Sequence, residues 1–180
     1  MHVLIGYASV QGSTAEIARR IGSVIEAEGM SVDVRPIKDV AYLSDYDAVV
    51  LGSAIHTQSW LQEASDFMRT HAAELSARPV WLFSVGMSAA LPRALRRAAQ
   101  ASQEKHLLKT LSKIPMRGHA LYSGVSSAKQ MPRWVGILFR LLGGGFGDFR
   151  DWPAIDSWAR TIATELTLPP AGPESLQIEV

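Results

Sequence analysis

Short apolar runs alternate with longer segments of helical period along this chain, and this alternation limits the fold more than any other feature. The apolar runs lie at 2–8, 31–36, 48–52, 80–85 and 119–124. Apolar residues three or four positions apart predict helices from Thr14 to a stop at Gly29, and over 63–75, 91–111 and 152–166. Strands that alternate with helices pair in parallel through right-handed crossovers. The sequence therefore predicts an α/β fold with a doubly wound, five-stranded parallel sheet.

The most apolar runs indicate which strands lie at the centre of this sheet. Residues 48–52 and 80–85 are continuously apolar, as expected of strands that are covered on both faces. A doubly wound sheet of order 2-1-3-4-5 has its ligand crevice beyond the carboxyl ends of strands one and three. We therefore expect function in the loops that follow Ala8, Gly52 and Val85.

Length and composition indicate one domain and exclude several kinds of site. The chain has 180 residues, which suits a single domain over 1–168. Residues 169–180 are rich in turn formers and predict a mobile tail. There are no cysteines, so disulfides and thiolate sites are excluded and a reducing compartment is compatible. The aspartates lack metal-ligand spacing, and we expect no metal site.

Charge and hydropathy favour a cytoplasmic protein. The run Val3, Leu4 and Ile5 is too short for a signal peptide, and no segment reaches the length of a membrane span. The formal net charge of +1 gives no general electrostatic reason to expect a nucleic-acid partner.

The loop after the first strand has the composition of an anion site. It is rich in hydroxyls, has a single glycine, and leads at once into a helix, whose N–H groups and dipole favour an anion. It has no lysine after the glycine and no G-x-G-x-x-G pattern, which excludes a Walker A motif and a dinucleotide fingerprint. The loop suits a monophosphate held without transfer, although Ser9 or Ser13 capping the helix would explain the same residues. Its residues are Ser9, Val10, Gln11, Gly12, Ser13 and Thr14.

Two other loops at the expected crevice also consist of small residues, which would let a planar ring approach the backbone. One follows the third strand and the other follows the fourth. Three specialised loops at one edge make a ligand site a better explanation than a helix cap. The residues are Ser53, Ala54, Ile55 and His56 in one loop, and Ser84, Val85, Gly86 and Met87 in the other.

At these loops the chain resembles the flavodoxin family. The family's first loop, [ST]-x-[ST]-G-x-T, is matched by residues 9–14, with Gln11 in place of the usual hydroxyl. The resemblance implies a flavodoxin-like fold, FMN as the cofactor, its phosphate in the first loop and its ring between the other two. The sequence lacks the acidic surface of electron-carrier flavodoxins and the tyrosine that their third loop stacks on the flavin. This difference counts against a simple carrier role.

An insertion at residues 125–151 is longer than the connections of about two to six residues that are usual in such folds. Its segment 132–142 is strongly apolar with two arginines and is stopped by glycines at 143–145. This composition suits an interfacial helix at a membrane or a wall for an apolar substrate, although an ordinary packed helix would also explain it.

The insertion makes the chain similar to the quinone-dependent protoporphyrinogen oxidases, a flavodoxin-fold group with a basic and apolar helix ahead of the last helix. Ala54-Ile55, the Phe83-Ser84-Val85 run and Asp151-Trp152 add to the likeness, although the insertion here is shorter and less basic. The resemblance implies an FMN-dependent oxidoreductase that passes electrons from a reduced apolar or porphyrin-like substrate to a quinone. It also implies peripheral contact with the inner face of the membrane. A flavodoxin-type electron carrier that docks a redox enzyme is the alternative, and a fold with a deazaflavin or no cofactor is a third.

Several single residues have both a functional and a structural interpretation. His56 could move a proton near the flavin or be an exposed loop histidine, and it is the one candidate for a catalytic residue. Trp60 could cover the ring or anchor the loop, and Met87 could contact the flavin or fill the crevice. A basic helix at 91–111 could attract porphyrin carboxylates or simply be a solvated face. Its basic residues are Arg93, Arg96, Arg97, Lys105 and Lys109.

Overall fold

The computed structural model describes residues 1–56, 59–86, 115–126 and 147–168. Within these ranges the strands are β1 His2–Ala8, β2 Ser31–Pro36, β3 Ala48–His56, β4 Ser59–Trp60, β5 Val80–Gly86, β6 Gly118–Ser123, β7 Val125–Ser126 and β8 Gly147–Asp148. The helices are α1 Ser13–Ala27, α2 Gln62–Thr70, α3 Ala72–Ser76 and α4 Trp152–Thr167, with a 3-10 turn at Ile37–Asp39. The predicted helix at 91–111, the segment 132–142, Met87 and the tail 169–180 lie outside the described residues.

The main sheet has the strand order β2-β1-β3-β5-β6, with all neighbouring pairs parallel. If only these parallel strands are counted, this is the predicted order 2-1-3-4-5. The extra number comes from β4, a two-residue strand that pairs antiparallel with the end of β3. The α/β, flavodoxin-like fold is therefore confirmed. The short strands β4, β7 and β8 and the 3-10 turn were not predicted from the sequence.

Predicted boundaries were wrong in three places, at the ends of β3 and β5 and within the helix at 63–75. β3 continues to His56, so residues 53–56 are strand and not loop; Ala54 pairs with Val85 of β5, and Ile55 pairs with Trp60 of β4. Neighbouring strands on both sides supply hydrogen-bond partners that outweigh the turn tendency of small residues. Likewise, residues 84–86 belong to β5. The helix predicted at 63–75 is divided into α2 and α3 at His71, whose ring bonds to Glu74 Oε1 at 2.8 Å.

The sheet is covered on both faces by apolar side chains. Ile5, Phe83 and Ile155 belong to the core on the side of α1 and α4. Leu4 and Leu82 belong to the second core, on the side of α2 and α3. Adjacent residues of one strand point to opposite faces, which explains why Leu4 and Ile5 contribute to different cores. Burial on both faces is what a central parallel strand requires.

A loop residue ties the outer strand β2 to the rest of the sheet. The hydroxyl of Tyr46, which is buried, donates to Asp33 Oδ2 at 2.8 Å, and Arg35 pairs with the same oxygen at 2.8 Å. The hydrogen bond from Tyr46 is the largest cause that lowers the pKa of the Asp33 carboxyl, and Arg35 and His2 lower it further. Burial, followed by the bond to Asp33, raises the pKa of Tyr46.

Gly52 leaves room for the ring of Phe83 on the neighbouring strand. A Cβ atom at position 52 would lie 2.0 Å from Cζ and 2.3 Å from Cε1 of Phe83. Gly52 and Phe83 are direct register partners, so neither backbone can move away without breaking the ladder between β3 and β5. A side chain at position 52 is therefore incompatible with a large ring at position 83.

We expect Gly52→Ala to lower the free energy of unfolding by about 1–3 kcal/mol, the usual cost of overpacking a core. The shorter Phe83→Leu variant should cost less than about 1.5 kcal/mol alone. Urea unfolding of the G52A/F83L double variant should show a protein more stable than G52A. If the double variant instead loses the sum of the two single losses in free energy of unfolding, the predicted clash between position 52 and the ring of Phe83 is wrong.

Candidate functional site

A crevice opens where the parallel strands end, at the edge that the topology predicts. Its first wall is the loop after β1, which contributes Ser9, Val10, Gln11, Ser13 and Thr14. The opposite side is formed by the ends of β3 and β5 and by the segment after β6, namely Ala54, Ile55, His56, Val85, Gly86, Gly124 and Val125. Ten of the residues predicted from the sequence therefore line one crevice. Gly124 and Val125 are additions that the sequence did not reveal.

Gly12 determines the shape of the first loop. Its φ of 90° lies in the left-handed region, which residues with a side chain rarely adopt. Its N–H donates to Ser9 Oγ at 3.0 Å, and its carbonyl accepts the first helical hydrogen bond, from Glu16 N at 3.0 Å. Gly12 is the residue at the N-cap of α1, and no side chain caps this helix. The alternative that Ser9 or Ser13 caps α1 is therefore wrong, and Ser9 instead closes the loop.

Thr14 holds a buried hydroxyl at the crevice. The residue is 1% exposed, and its Oγ1 has no hydrogen-bond partner among the described residues. A buried hydroxyl without a partner costs free energy, on the order of 1–3 kcal/mol. Because Thr14 lines the crevice in the first turn of α1, a ligand oxygen there would satisfy it.

Ser53 and Ser84 do not line the crevice with their side chains, although the sequence placed both at the ligand. Ser53 Oγ donates to the carbonyl of Ala54 at 2.9 Å and accepts the N–H of Leu61 at 3.1 Å. Ser84 Oγ accepts the indole N–H of Trp60 at 2.7 Å. Both serines are fully buried, so they hold β4 and the start of α2 beneath the crevice.

Trp60 anchors the crevice floor. The residue is 4% exposed, and Ser84 Oγ, which accepts its indole N–H, also lies 2.9 Å from Nε2 of His119. These side-chain contacts link Trp60 of β4, Ser84 of β5 and His119 of β6. Of the two interpretations of Trp60, the structure supports the anchor. His56, in contrast, is exposed at the crevice rim.

Gly124 lets the segment after β6 approach the first loop. A Cβ atom at position 124 would lie 3.0 Å from Cγ1 of Val85 and 3.1 Å from Oγ of Ser13. The Gly124 N–H donates to the carbonyl of Gly86 at 2.8 Å. Little in the sequence indicated this role, because Gly124 was predicted as the last residue of the strand at 119–124. The close approach to Ser13 exists only in three dimensions.

A short antiparallel ladder continues from Gly124 along the crevice. Val125 pairs with Asp148, and Ser126 pairs with Gly147. These residues of β7 and β8 are the two ends of the predicted insertion. Residues 127–146 lie outside the described residues, but the chain leaves and re-enters the described structure at neighbouring positions beside the crevice.

Arg150 connects this ladder to α1. It donates to Asp148 through Nε (2.8 Å) and Nη2 (2.6 Å), and it donates to Glu16 through Nη1. Its guanidinium carbon lies 4.6 Å from the ring centroid of Trp152. The hydrogen bond to Asp148 is the largest cause that raises the pKa of Arg150, and the same bond lowers the pKa of Asp148.

Tyr122 lies behind the crevice in an aromatic cluster. Its ring centroid is 6.5 Å from that of Phe83 and 6.1 Å from that of Trp158. The residue is 8% exposed, and its hydroxyl has no hydrogen-bond partner among the described residues. Burial, followed by the charge of Asp151, raises the pKa of Tyr122.

A wider depression lies on the outer surface between α1 and α4. It has a volume of about 670 Å³ and is lined by Glu16, Arg19, Arg20, Ser23 and Trp152. It is more open to solvent than the crevice, and no strand residue lines it. The crevice, with its buried hydroxyl and left-handed glycine, is the better candidate for chemistry.

Two further properties concern metals and membranes. In the part of the chain that the structure describes, no three His, Cys, Asp or Glu side chains come together in a group suited to a metal ion. Among the helices within the described ranges, none has the length and apolar character needed to cross a bilayer.

Comparison with known proteins identifies relatives of both the sequence and the fold. The family model described as "Flavodoxin domain" matches residues 4–130. The chain is 24% identical over 177 residues to the protoporphyrinogen IX dehydrogenase [quinone] of Escherichia coli K12, covering 91% of this chain and 95% of that protein.

Solved structures of similar fold include two flavodoxins. One comes from the domain Archaea, with a TM-score of 0.57, 16% identity, and coverage of 93% of this chain and 100% of that one. The other comes from Pseudomonas aeruginosa, with a TM-score of 0.56, 14% identity, and coverage of 92% and 99%. At this level of identity the likeness shows the fold.

The two buried tyrosines provide a matched test of whether each hydroxyl has a hydrogen-bond partner in the folded protein. Tyr122→Phe removes a hydroxyl without a described partner, so we expect the free energy of unfolding to stay constant or rise by up to about 1 kcal/mol. Tyr46→Phe removes the donor to Asp33, so we expect this variant to lower the free energy of unfolding by about 1 kcal/mol or more. Urea unfolding of the two variants checks the difference. An equal loss in both would mean that Tyr122 has a hydrogen-bond partner.

Proposed function

The chain belongs to the flavodoxin domain family, and on that premise we propose that it is an FMN-dependent oxidoreductase that transfers electrons from a reduced, porphyrinogen-like substrate to a quinone. A redox role follows from the family. The substrate and acceptor are proposed from the relative that is named a protoporphyrinogen IX dehydrogenase [quinone] and that aligns with 91% of this chain. That alignment is the single observation that carries the finer proposal.

FMN is the cofactor that the family and the flavodoxin neighbours imply. The residues of the crevice fit this group. Gly12 turns the first loop so that the N-terminus of α1 faces the crevice, and Thr14 offers a buried hydroxyl without a described partner. We propose that Ser9, Ser13, Thr14 and the N–H groups of residues 10, 11, 13 and 14 hold the phosphate; the N–H of Gly12 is already bonded to Ser9 Oγ. Neutral donors and the helix dipole are a common means of binding such an anion.

The rest of the crevice offers a ring-shaped ligand mostly apolar contacts. Val10, Ile55, Val85 and Val125 line it, with the small residues Ala54, Gly86 and Gly124 between them. Apolar walls exclude water, and small residues leave the backbone accessible to a flat ring. We propose that residues 54–56, Val85 and Gly86 contact the isoalloxazine; Met87, predicted to join them, lies outside the described residues.

The bound flavin would supply the acceptor for a hydride equivalent and the donor of electrons to the quinone. The chain itself contributes placement and shielding. His56 is the one titratable side chain among the described residues that line the crevice, so it is the candidate to hold a proton beside the substrate. The walls that meet at Gly124 keep the loop and the strand ends at a fixed separation.

The insertion provides the second structural support for the oxidase. Its ends, Val125–Ser126 and Gly147–Asp148, pair with one another, and Val125 lines the crevice. The described ends of the insertion therefore lie next to the proposed flavin. We propose that the apolar segment 132–142 contacts the substrate, the quinone or the membrane surface that holds the quinone.

An electron carrier that docks a redox partner is a second candidate function. Its support is the fold shared with flavodoxins and the side chain of Val10, which is 68% exposed at the crevice rim. A single exposed valine is common on protein surfaces, so the shared fold is the main support for this candidate. A carrier would exchange electrons with a reductase but would not itself couple porphyrinogen oxidation to quinone reduction.

Thr14→Val tests the placement of the phosphate. Loss of a hydrogen bond to a charged group should weaken FMN binding about tenfold or more, whereas Thr14→Ser, which keeps the hydroxyl, should stay close to the wild type. Quenching of flavin fluorescence on titration measures the affinity. The stability of the cofactor-free T14V protein should not fall, because the hydroxyl has no described partner there. Wild-type affinity in T14V would place the phosphate elsewhere.

Anaerobic turnover tests the oxidase directly. FMN-loaded protein should reduce menaquinone or ubiquinone only when protoporphyrinogen is present, and free FMN at the same concentration should be much slower. The control variant for the reaction is T14V, which should lose turnover in proportion to its lost FMN. If FMN-loaded protein accepts electrons from a reductase but shows no porphyrinogen-dependent quinone reduction, the carrier function replaces the oxidase.

A further inference from the structure

We propose that Arg150 is a positioning residue of the cofactor site, which neutralises Glu16 in the first turn of α1 and so keeps that helix end favourable for the FMN phosphate. The inference rests on the phosphate placement under Proposed function. It assigns a role to a residue that follows β8, outside the segment that the family model matches.

Glu16 is the group that makes such a role necessary. It lies one turn after Ser13 on α1, and residues three apart on a helix are neighbours on one face, with Cβ atoms about 5–6 Å apart. Ser13 lines the crevice, whereas Glu16 lines the depression between α1 and α4, so Glu16 can act on the crevice only through its charge at the helix end. A free carboxylate at position 16 would therefore compete with a phosphate for the positive end of the same helix dipole.

The loop itself contains no positive charge to offset this carboxylate. Residues 9–14 include neither lysine nor arginine, so the phosphate depends on N–H groups, hydroxyls and the dipole. These are partial charges, and a nearby full negative charge would weaken their effect. Arg150 supplies the missing positive charge from another part of the chain.

The position of Arg150 is fixed from three sides. Asp148 accepts two of its hydrogen bonds, Glu16 accepts a third, and the ring of Trp152 lies against its guanidinium. Its side chain is 10% exposed. The carboxylates of Glu16 and Asp148 are more exposed, at 55% and 46%, so solvent partly screens their charge while the guanidinium itself is held in place.

The same contacts place the far wall of the crevice. Asp148 pairs with Val125 in the ladder of β7 and β8, and Val125 lines the crevice directly after Gly124. Arg150 therefore links α1 with the ladder that faces it. A second arginine, Arg20, provides a natural control: it also joins α1 to a carboxylate, but its partner is Asp156 of α4, at 2.6 Å, and its side chain is 48% exposed.

The experiment compares FMN affinity in five proteins: the wild type, Arg150→Met, Arg20→Met, Glu16→Gln and the E16Q/R150M double variant. We expect R150M to bind FMN about five- to tenfold more weakly, the size of a charge effect at a helix end. R20M should stay within about twofold of the wild type. E16Q should bind at least as tightly as the wild type.

The double variant separates charge compensation from a purely structural role. Once Glu16 is neutral, Arg150 has no charge to offset, so E16Q/R150M should recover most of the affinity that R150M loses. In R150M the affinity should also rise with added salt, which screens Glu16, whereas E16Q should lack this rise. A structural brace alone would show neither effect.

Specific results would overturn the proposal. These are a double variant no better than R150M, an equal loss in R150M and R20M, or weaker binding in E16Q than in the wild type. The E16Q result is measured with Arg150 intact, so it still decides the matter if R150M does not fold. If T14V binds FMN like the wild type, the phosphate placement is wrong and both proposals fall. If T14V weakens binding but the double variant shows no recovery, the role of Arg150 alone is wrong.

Discussion

Parallel pairing of β1 between β2 and β3 is the constraint on which the rest of the structure depends. Ile5 is the register partner of Val34 on one side and Val50 on the other. This pairing brings the ends of β1 and β3 to the same edge, and the pairing of β3 with β5 adds the end of a third strand. Gly52 protects that second pairing by leaving space for Phe83. Without this common edge, Thr14 and Val85 would not face one crevice.

Burial in this protein has opposite consequences for different polar groups. Ser53 and Ser84 are buried and fully used by their neighbours, so they add rigidity beneath the crevice. Thr14 is equally buried, yet its hydroxyl has no partner among the described residues. A satisfied group stabilises the scaffold, whereas an unsatisfied one costs stability until a ligand arrives. The buried hydroxyl of Tyr122 also has no described partner but does not line the crevice, so Thr14 is set apart by both its unbonded hydroxyl and its place at the crevice.

Much of this arrangement could be predicted from local sequence. β1 and β2 have the predicted bounds because their runs are ended by clear turn residues. Residues 9–12 form the expected loop, and Ser13 and Thr14 already belong to the first turn of α1. The end of β3 was missed because small residues resemble a turn until the partner strands are known. Gly124 was missed because its contact is with Ser13, and Arg150 because Glu16 lies 134 positions earlier. Hydrophobic period reports which face of an element is buried, but it carries no information on such distant pairs.

The ladder of β7 and β8 has a consequence for how this protein can diverge. It brings the ends of the segment 127–146 together before that segment contributes any contact of its own. The entropic cost of closing a loop grows slowly, by about 0.6 kcal/mol for each doubling of its length. Changes in the length or composition of this segment can therefore leave Gly12, Thr14 and Gly124 in place. Under the proposed function, changes in this segment would alter selectivity for substrate or acceptor without altering the residues proposed to hold the flavin.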